Sequence, residues 1–171
     1  MKANQNNRWI VIVLGALIVA AGVLWVLNQP KTPVVSGEIQ VIRGEETIKA
    51  FTLEEIRAMQ SVSVEKEIVS SSHANDQGTF TGVPLRALLD EADPSWRGNA
   101  VQIAARAEDG FVVAYTADEV AKDDSFLVVY EKNGQQLAAK KDGGTGPLRL
   151  IIQHDDFGNR SVKYLAQIEV R

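Results

Sequence analysis

From Trp9 to Leu27 the chain reads WIVIVLGALIVAAGVLWVL, nineteen residues without a single charge. As a helix rising about 1.5 Å per residue it reaches about 28 Å, most of a hydrocarbon core. Lys2 and Arg8 precede it. Basic residues stay on the cytoplasmic side, so the order predicts a cytoplasmic N-terminus and an exported remainder. Trp9 and Trp25 sit near the two ends, where aromatic rings favour the interface. The sequence therefore predicts a single-pass protein of the cell membrane. Residues 1–8 are its cytoplasmic end, 9–27 its transmembrane anchor, 28–37 a linker and 38–171 an extracytoplasmic domain. A cleaved signal peptide is the competing reading, with a cut after Ala20 or Ala21. Val23 to Leu27 then continues the apolar run past the cut, which makes it longer than a usual signal core.

Charge narrows the partners of the domain. Beyond Asn28 there are 16 basic and 22 acidic residues. A surface this acidic does not suit nucleic acid, whose phosphates need a basic face. The chain has no cysteine. The domain must stand on its core without disulfides, and thiolate chemistry is excluded, as nucleophile or as metal ligand. A twin-arginine pair is absent as well, so export of an already folded, cofactor-loaded domain by that route is not indicated.

The linker NQPKTPVVSG carries two prolines and little pattern. The domain then alternates short strands with short helices. EIQVIRGEETIKAF reads as two strands joined near Gly44. TLEE, Thr52 to Glu55, is a capping box that opens a helix to about Gln60. Ser63 to Val69 alternates as a strand, and SSSHANDQG reads as a polar loop. TGVPLRALLDEA, Thr81 to Ala92, reads as a turn into a helix striped by Leu85, Leu88 and Leu89. Val101 to Ala105 is a strand, TADE at Thr116 a second capping box, and Phe126 to Glu131 a strand that ends at Asn133-Gly134, a hairpin signal. AQIEV closes the chain. Strands dominate with helices inserted, which is α+β and not alternating βαβ.

The stretch GPLRLIIQHDDFGNRSVKYL poses the functional question. Two apolar runs flank a turn at Asp155, Asp156 and Gly158, yet Arg149 interrupts the first run and Lys163 the second. A hairpin turning on Asp156 sets Arg149 opposite Lys163, where like charges repel. An anionic small ligand held between them would remove that cost. The competing reading is the solvent face of an edge hairpin, with both cations solvated or paired with Glu169 or Asp142. Nearby, DGGTG (142–146) has the glycine content of a phosphate cradle but lacks the lysine and the helix of a phosphate-binding loop. His73 and His154 have no partner at metal-ligand spacing. His73 beside Ser70 to Ser72 forms no nucleophile elbow and reads as surface loop.

Taken in order, GEETIKAFTLEEI, FTGVPLRALLDEA, EDGFVVAYTADEV, LVVYEKNGQQL and GPLRLIIQHDDFGNRSVKYLAQIEV resemble the molybdopterin-binding domain of the sulfite-oxidase-like oxidoreductases. The resemblance covers about Glu38 to Arg171. It implies a mixed, β-rich α+β fold with the pterin cofactor in a groove. It also implies that Arg149, Ser161, Val162 and Lys163 contact the phosphate-bearing tail of molybdopterin. The cysteine that holds molybdenum in active members has no counterpart in EKEIVSSSHANDQGTF, the segment before TGVPL. Tyr164 stands where the family usually has tryptophan, and GGTG where it often has asparagine. The expectation is a binding or accessory module, with molybdenum doubtful and a membrane protein as a further partner. The alternatives are an active molybdenum–pterin oxidoreductase with a non-cysteine ligand, such as Ser70, Ser71 or Ser72, and a protein-interaction scaffold whose cations are neutralised internally.

Overall fold

A computed structural model describes residues 4–27, 36–70 and 74–171, and in the first of these segments the side chains from 9 to 24. Ser71, Ser72 and His73, and most of the 28–37 linker, lie outside the described residues. The chain divides into two units, Met1–Pro33 and Val34–Arg171.

The described residues of the first unit form one helix, α1 (Asn4–Leu27). Every side chain from Trp9 to Leu24 is exposed. Among the described residues no helix is long and apolar enough to cross a membrane. The expected span, Trp9 to Leu27, runs beyond the described side chains.

In the second unit β1 (Glu38–Arg43) and β2 (Glu46–Thr52) form a hairpin that turns at Gly44, whose φ of +61° suits glycine. The TLEE box then closes as expected. Glu55 N–H donates to Thr52 Oγ1, and Thr52 N–H donates to the Glu55 carboxylate at 2.7 Å. It opens α2 (Leu53–Ala58), two residues shorter than the sequence suggested. β3 (Val62–Ile68) and β4 (Asp76–Pro84) pair antiparallel. TGVP is thus the end of a strand rather than a turn, and Pro84 caps α3 (Leu85–Ala92), which buries Leu85, Leu88 and Leu89. After α4 (Trp96–Asn99) come β5 (Gln102–Ala107) and β6 (Val112–Thr116), the latter unforeseen in the sequence. α5 (Ala117–Lys122) follows, then β7 (Phe126–Lys132) and β8 (Gln135–Gln136), joined by Asn133 and Gly134 at φ +53° and +74°. Both positive angles are what a two-residue hairpin of this kind requires. β9 (Arg149–Ile152) and β10 (Leu165–Val170) complete the unit.

One five-stranded sheet has the order β2-β1-β10-β5-β6, with β1 and β10 parallel. The other has the order β3-β4-β7-β8, with β9 also on β7. A large core gathers Ile39, Phe51, Val83, Trp96, Ile103, Val128, Leu150 and Ile168 from both sheets and their helices. A smaller cluster of Ile68, Phe80, Leu127, Val129, Leu137 and Ile151 lies on the opposite face of the second sheet. Alternation on β7 and β9 sends successive residues to one cluster and then the other. This is a mixed, sheet-rich α+β fold.

The second capping box forms only by half. Thr116 Oγ1 accepts from Glu119 N–H at 3.2 Å, but the Glu119 carboxylate turns to Arg160. An ion pair with a guanidinium outcompetes the return bond to the cap.

Candidate functional site

β9 sends Leu150 and Ile152 into the large core and Ile151 into the small one. Arg149 follows the alternation of Ile151. It is 2% exposed, and its guanidinium lies 5.8 Å from the centre of the Phe80 ring. The solvent-face reading of this strand is therefore corrected for Arg149. Its partner is neither Glu169 nor Asp142 but Asp76, the first residue of β4, whose Oδ2 accepts from Arg149 Nη1 at 2.5 Å. Glu169 instead pairs with Arg171. The other oxygen of Asp76 accepts from Lys132 of β7. Arg149 Nε is buried without a partner. An unmet buried donor costs about 1–3 kcal/mol.

Burial alone would raise the pKa of Asp76, but the hydrogen bonds from Lys132 and Arg149 outweigh it and hold the carboxyl below the ordinary aspartate value. It is ionised at neutral pH. The stability it contributes is present above the unfolded-state pKa and is lost as the pH falls through the lower folded value.

Arg149 and Asp76 line a cleft of about 490 Å³, together with Ser70, Phe157, Asn159 and Lys163. A second cleft of about 900 Å³ adjoins it and takes in Phe111, Ser161 and Tyr164. Gly158, Asn159 and Lys163 border both. Gly158 and Asn159 of this shared rim belong to a short 3-10 turn, Gly158–Arg160, fixed from behind. Arg160 pairs with Glu119 at 2.5 Å and with Asp155 at 3.2 Å, and its carbonyl accepts from the Tyr115 hydroxyl. Burial pushes that phenol far above its usual pKa, so it remains a donor.

Lys163 is exposed and has no ion-pair partner among the described residues. Ser161 is nearly buried, at 9% exposure. Val162 points into the large core, and its N–H and C=O are both bonded to Leu150. It borders neither cleft. The antiparallel bridge of Leu150 to Val162 has the expected register, but no ladder extends from it. Tyr164, at φ +55°, turns the chain out of extended geometry before β10 begins.

DGGTG forms no phosphate cradle, in keeping with the lysine and helix it lacks. The amides of Asp142, Gly143, Gly144 and Gly146 all donate to backbone carbonyls of residues 138–140. His154 is exposed and 4.0 Å from Asp123. Among the described residues no group of three or more His, Cys, Asp or Glu is placed to hold a metal. Asp76, Phe80 and Lys132 were not anticipated, because ANDQG reads as loop and a lysine at a strand end reads as solvated.

Residues 35–171 match the family described as the oxidoreductase molybdopterin binding domain. The chain belongs to this family. A solved structure similar to it is the sulfane dehydrogenase SoxCD from Paracoccus pantotrophus, with a TM-score of 0.61 and 18% identity over 78% of this chain. The chain spans 37% of that chain's length, and at this identity the likeness speaks for the fold. No curated protein matches the chain.

The molybdopterin-binding domain can be tested against the group that its family implies. A buried guanidinium and a lysine with no ion-pair partner among the described residues, both on one cleft, suit a phosphate-bearing tail. Among the described residues the metal end does not fit. There is no thiolate in 171 residues, and the one carboxylate in the cleft, Asp76, is held by two cations.

Proposed function

We propose that this molybdopterin-binding domain is a binding module for a phosphate-bearing anionic ligand of the pterin class, without molybdenum. The observation that carries the reading is the buried guanidinium of Arg149 on the wall of a cleft that also presents Lys163. A phosphate oxygen reaching this guanidinium meets charge-assisted donors, which are the strong kind. Lys163 adds a mobile point charge at the rim. The scaffold alternative requires both cations to be neutralised internally. Arg149 is, through Asp76, but Lys163 is not, which favours the binding module.

The experiment is elemental analysis of the purified full chain together with pterin fluorescence of its denatured extract. The expected result is pterin or another phosphate ester without stoichiometric molybdenum. Lys163→Gln should lower affinity for inorganic phosphate about tenfold, the worth of roughly 1.4 kcal/mol, while leaving thermal stability unchanged. Near-stoichiometric molybdenum would instead support an active oxidoreductase. No ligand and no phosphate affinity would leave the scaffold.

The same proposal places the domain outside the cell membrane, tethered by α1. What supports this is the apolar, uncharged exposure of Trp9 to Leu24 on all faces, a pattern that water does not tolerate on an isolated helix. The full chain is expected to sediment with membranes and to resist alkaline carbonate extraction. Release into the soluble fraction as an intact chain would remove the anchor.

A further inference from the structure

We infer that Asp76 is a built-in stand-in for the ligand's anion, and that it restricts the cleft to doubly charged oxyanions such as a phosphate monoester or sulfate. The inference rests on the anion-binding reading above. Its basis is the way the carboxylate is divided. One oxygen accepts from Arg149 and the other from Lys132, so Asp76 is shared between a buried cation and a half-buried one. A guanidinium that is 2% exposed cannot be left uncompensated without a large penalty, and Asp76 meets that need when no ligand is present.

The pairing also leaves a route for exchange. An incoming oxyanion can take the guanidinium while Asp76 keeps Lys132, so no carboxylate is stranded. The competition sets the selectivity. A singly charged carboxylate or chloride offers Arg149 no more than Asp76 already does, whereas a dianion offers twice the charge.

The test uses the full chain and its Asp76→Asn, Asp76→Glu and Glu65→Gln variants. Thermal unfolding is followed against inorganic sulfate at constant ionic strength, with chloride and acetate as controls. A ligand of the folded state raises the midpoint in proportion to its binding. D76N should be less stable than wild type in chloride, should recover the loss as sulfate is added, and should bind sulfate about tenfold more tightly. D76E, which keeps the charge, and E65Q, which removes an acid from the neighbouring β3, should behave as wild type. Acetate should leave wild type, D76E and E65Q unmoved and should stabilise D76N, from which the competing carboxylate has gone.

If D76N and wild type respond equally to sulfate, or if E65Q gains as much as D76N, the inference is overturned. A D76N chain that does not fold in chloride should fold in sulfate, and failure to do so also overturns it. A wild type indifferent to sulfate and phosphate beside a responsive D76N would uphold the role of Asp76 and defeat the ligand-binding reading. A responsive wild type beside an unaltered D76N would do the reverse.

Discussion

Gly82→Ala is expected to cost at least about 3 kcal/mol, the upper range for an overpacked core. Gly82 lies on β4 where it crosses β7, next to a register shift between Thr81 and Gly82. A Cβ built there would sit 2.3 Å from the Val128 carbonyl oxygen and 2.6 Å from the Val129 Cα. Both obstacles are backbone, so no rotamer change relieves them. The backbone cannot yield either. Val128 and Val129 are fully buried and are bonded to β4 on one side and to Leu150 and Arg149 of β9 on the other. Displacing β7 would disturb Arg149 and its partners at the same time. Urea denaturation of G82A beside wild type measures the effect. A midpoint shift worth less than about 1 kcal/mol would show that the β4–β7 crossing is softer than its geometry implies.

The glycine of TGVPL was visible in the sequence, but its reason was not. Read locally, TGVP is turn chemistry, and the strand it belongs to is dictated by partners on β7, where Gly82 faces Val129. Legibility throughout followed how local each cause is. The Thr52 capping box, the Asn133-Gly134 hairpin and the leucine stripe of α3 depend on neighbours within four residues, and each is found in the structure. The Thr116 box failed by half because Glu119 has a better partner in Arg160, 41 residues on. β6 was missed because VVAYT carries no alternation that separates it from the flanking turn and helix signals.

The candidate site divides in the same way. That Arg149 and Lys163 share a cleft follows from the register of the chain around Asp156, which the turn residues reveal. That one of them is buried does not, because its cover comes from Phe80 and Asp76 on β4, a strand whose first residues look like loop. Val162 resembles a ligand contact in its motif, yet the motif records a family pattern and not which backbone groups remain free. Here its amide and carbonyl are both used by Leu150.

Arg149→Met is expected to abolish the response to sulfate and phosphate while the domain remains folded. Methionine retains the apolar stem that packs by Phe80, and it removes an unmet buried donor. Asp76 keeps Lys132 and is 29% exposed, so the lost ion pair does not strand a charge in the core. Stability should therefore change by no more than about 2 kcal/mol, as when other buried ion pairs are replaced by apolar groups of similar size. Binding should suffer far more, because two charge-assisted bonds of about 1.5 kcal/mol or more each are lost together, about a hundredfold or greater. Arg149→Lys separates charge from shape. A lysine keeps the positive charge but cannot present the planar fork, so its affinity should fall between those of wild type and R149M. Equal binding by R149K and wild type would mean that the cleft attracts anions by charge alone. A wild-type sulfate response in R149M would make Arg149 a purely structural cation, and the cleft would then belong to a scaffold that holds its charges for the sake of the fold.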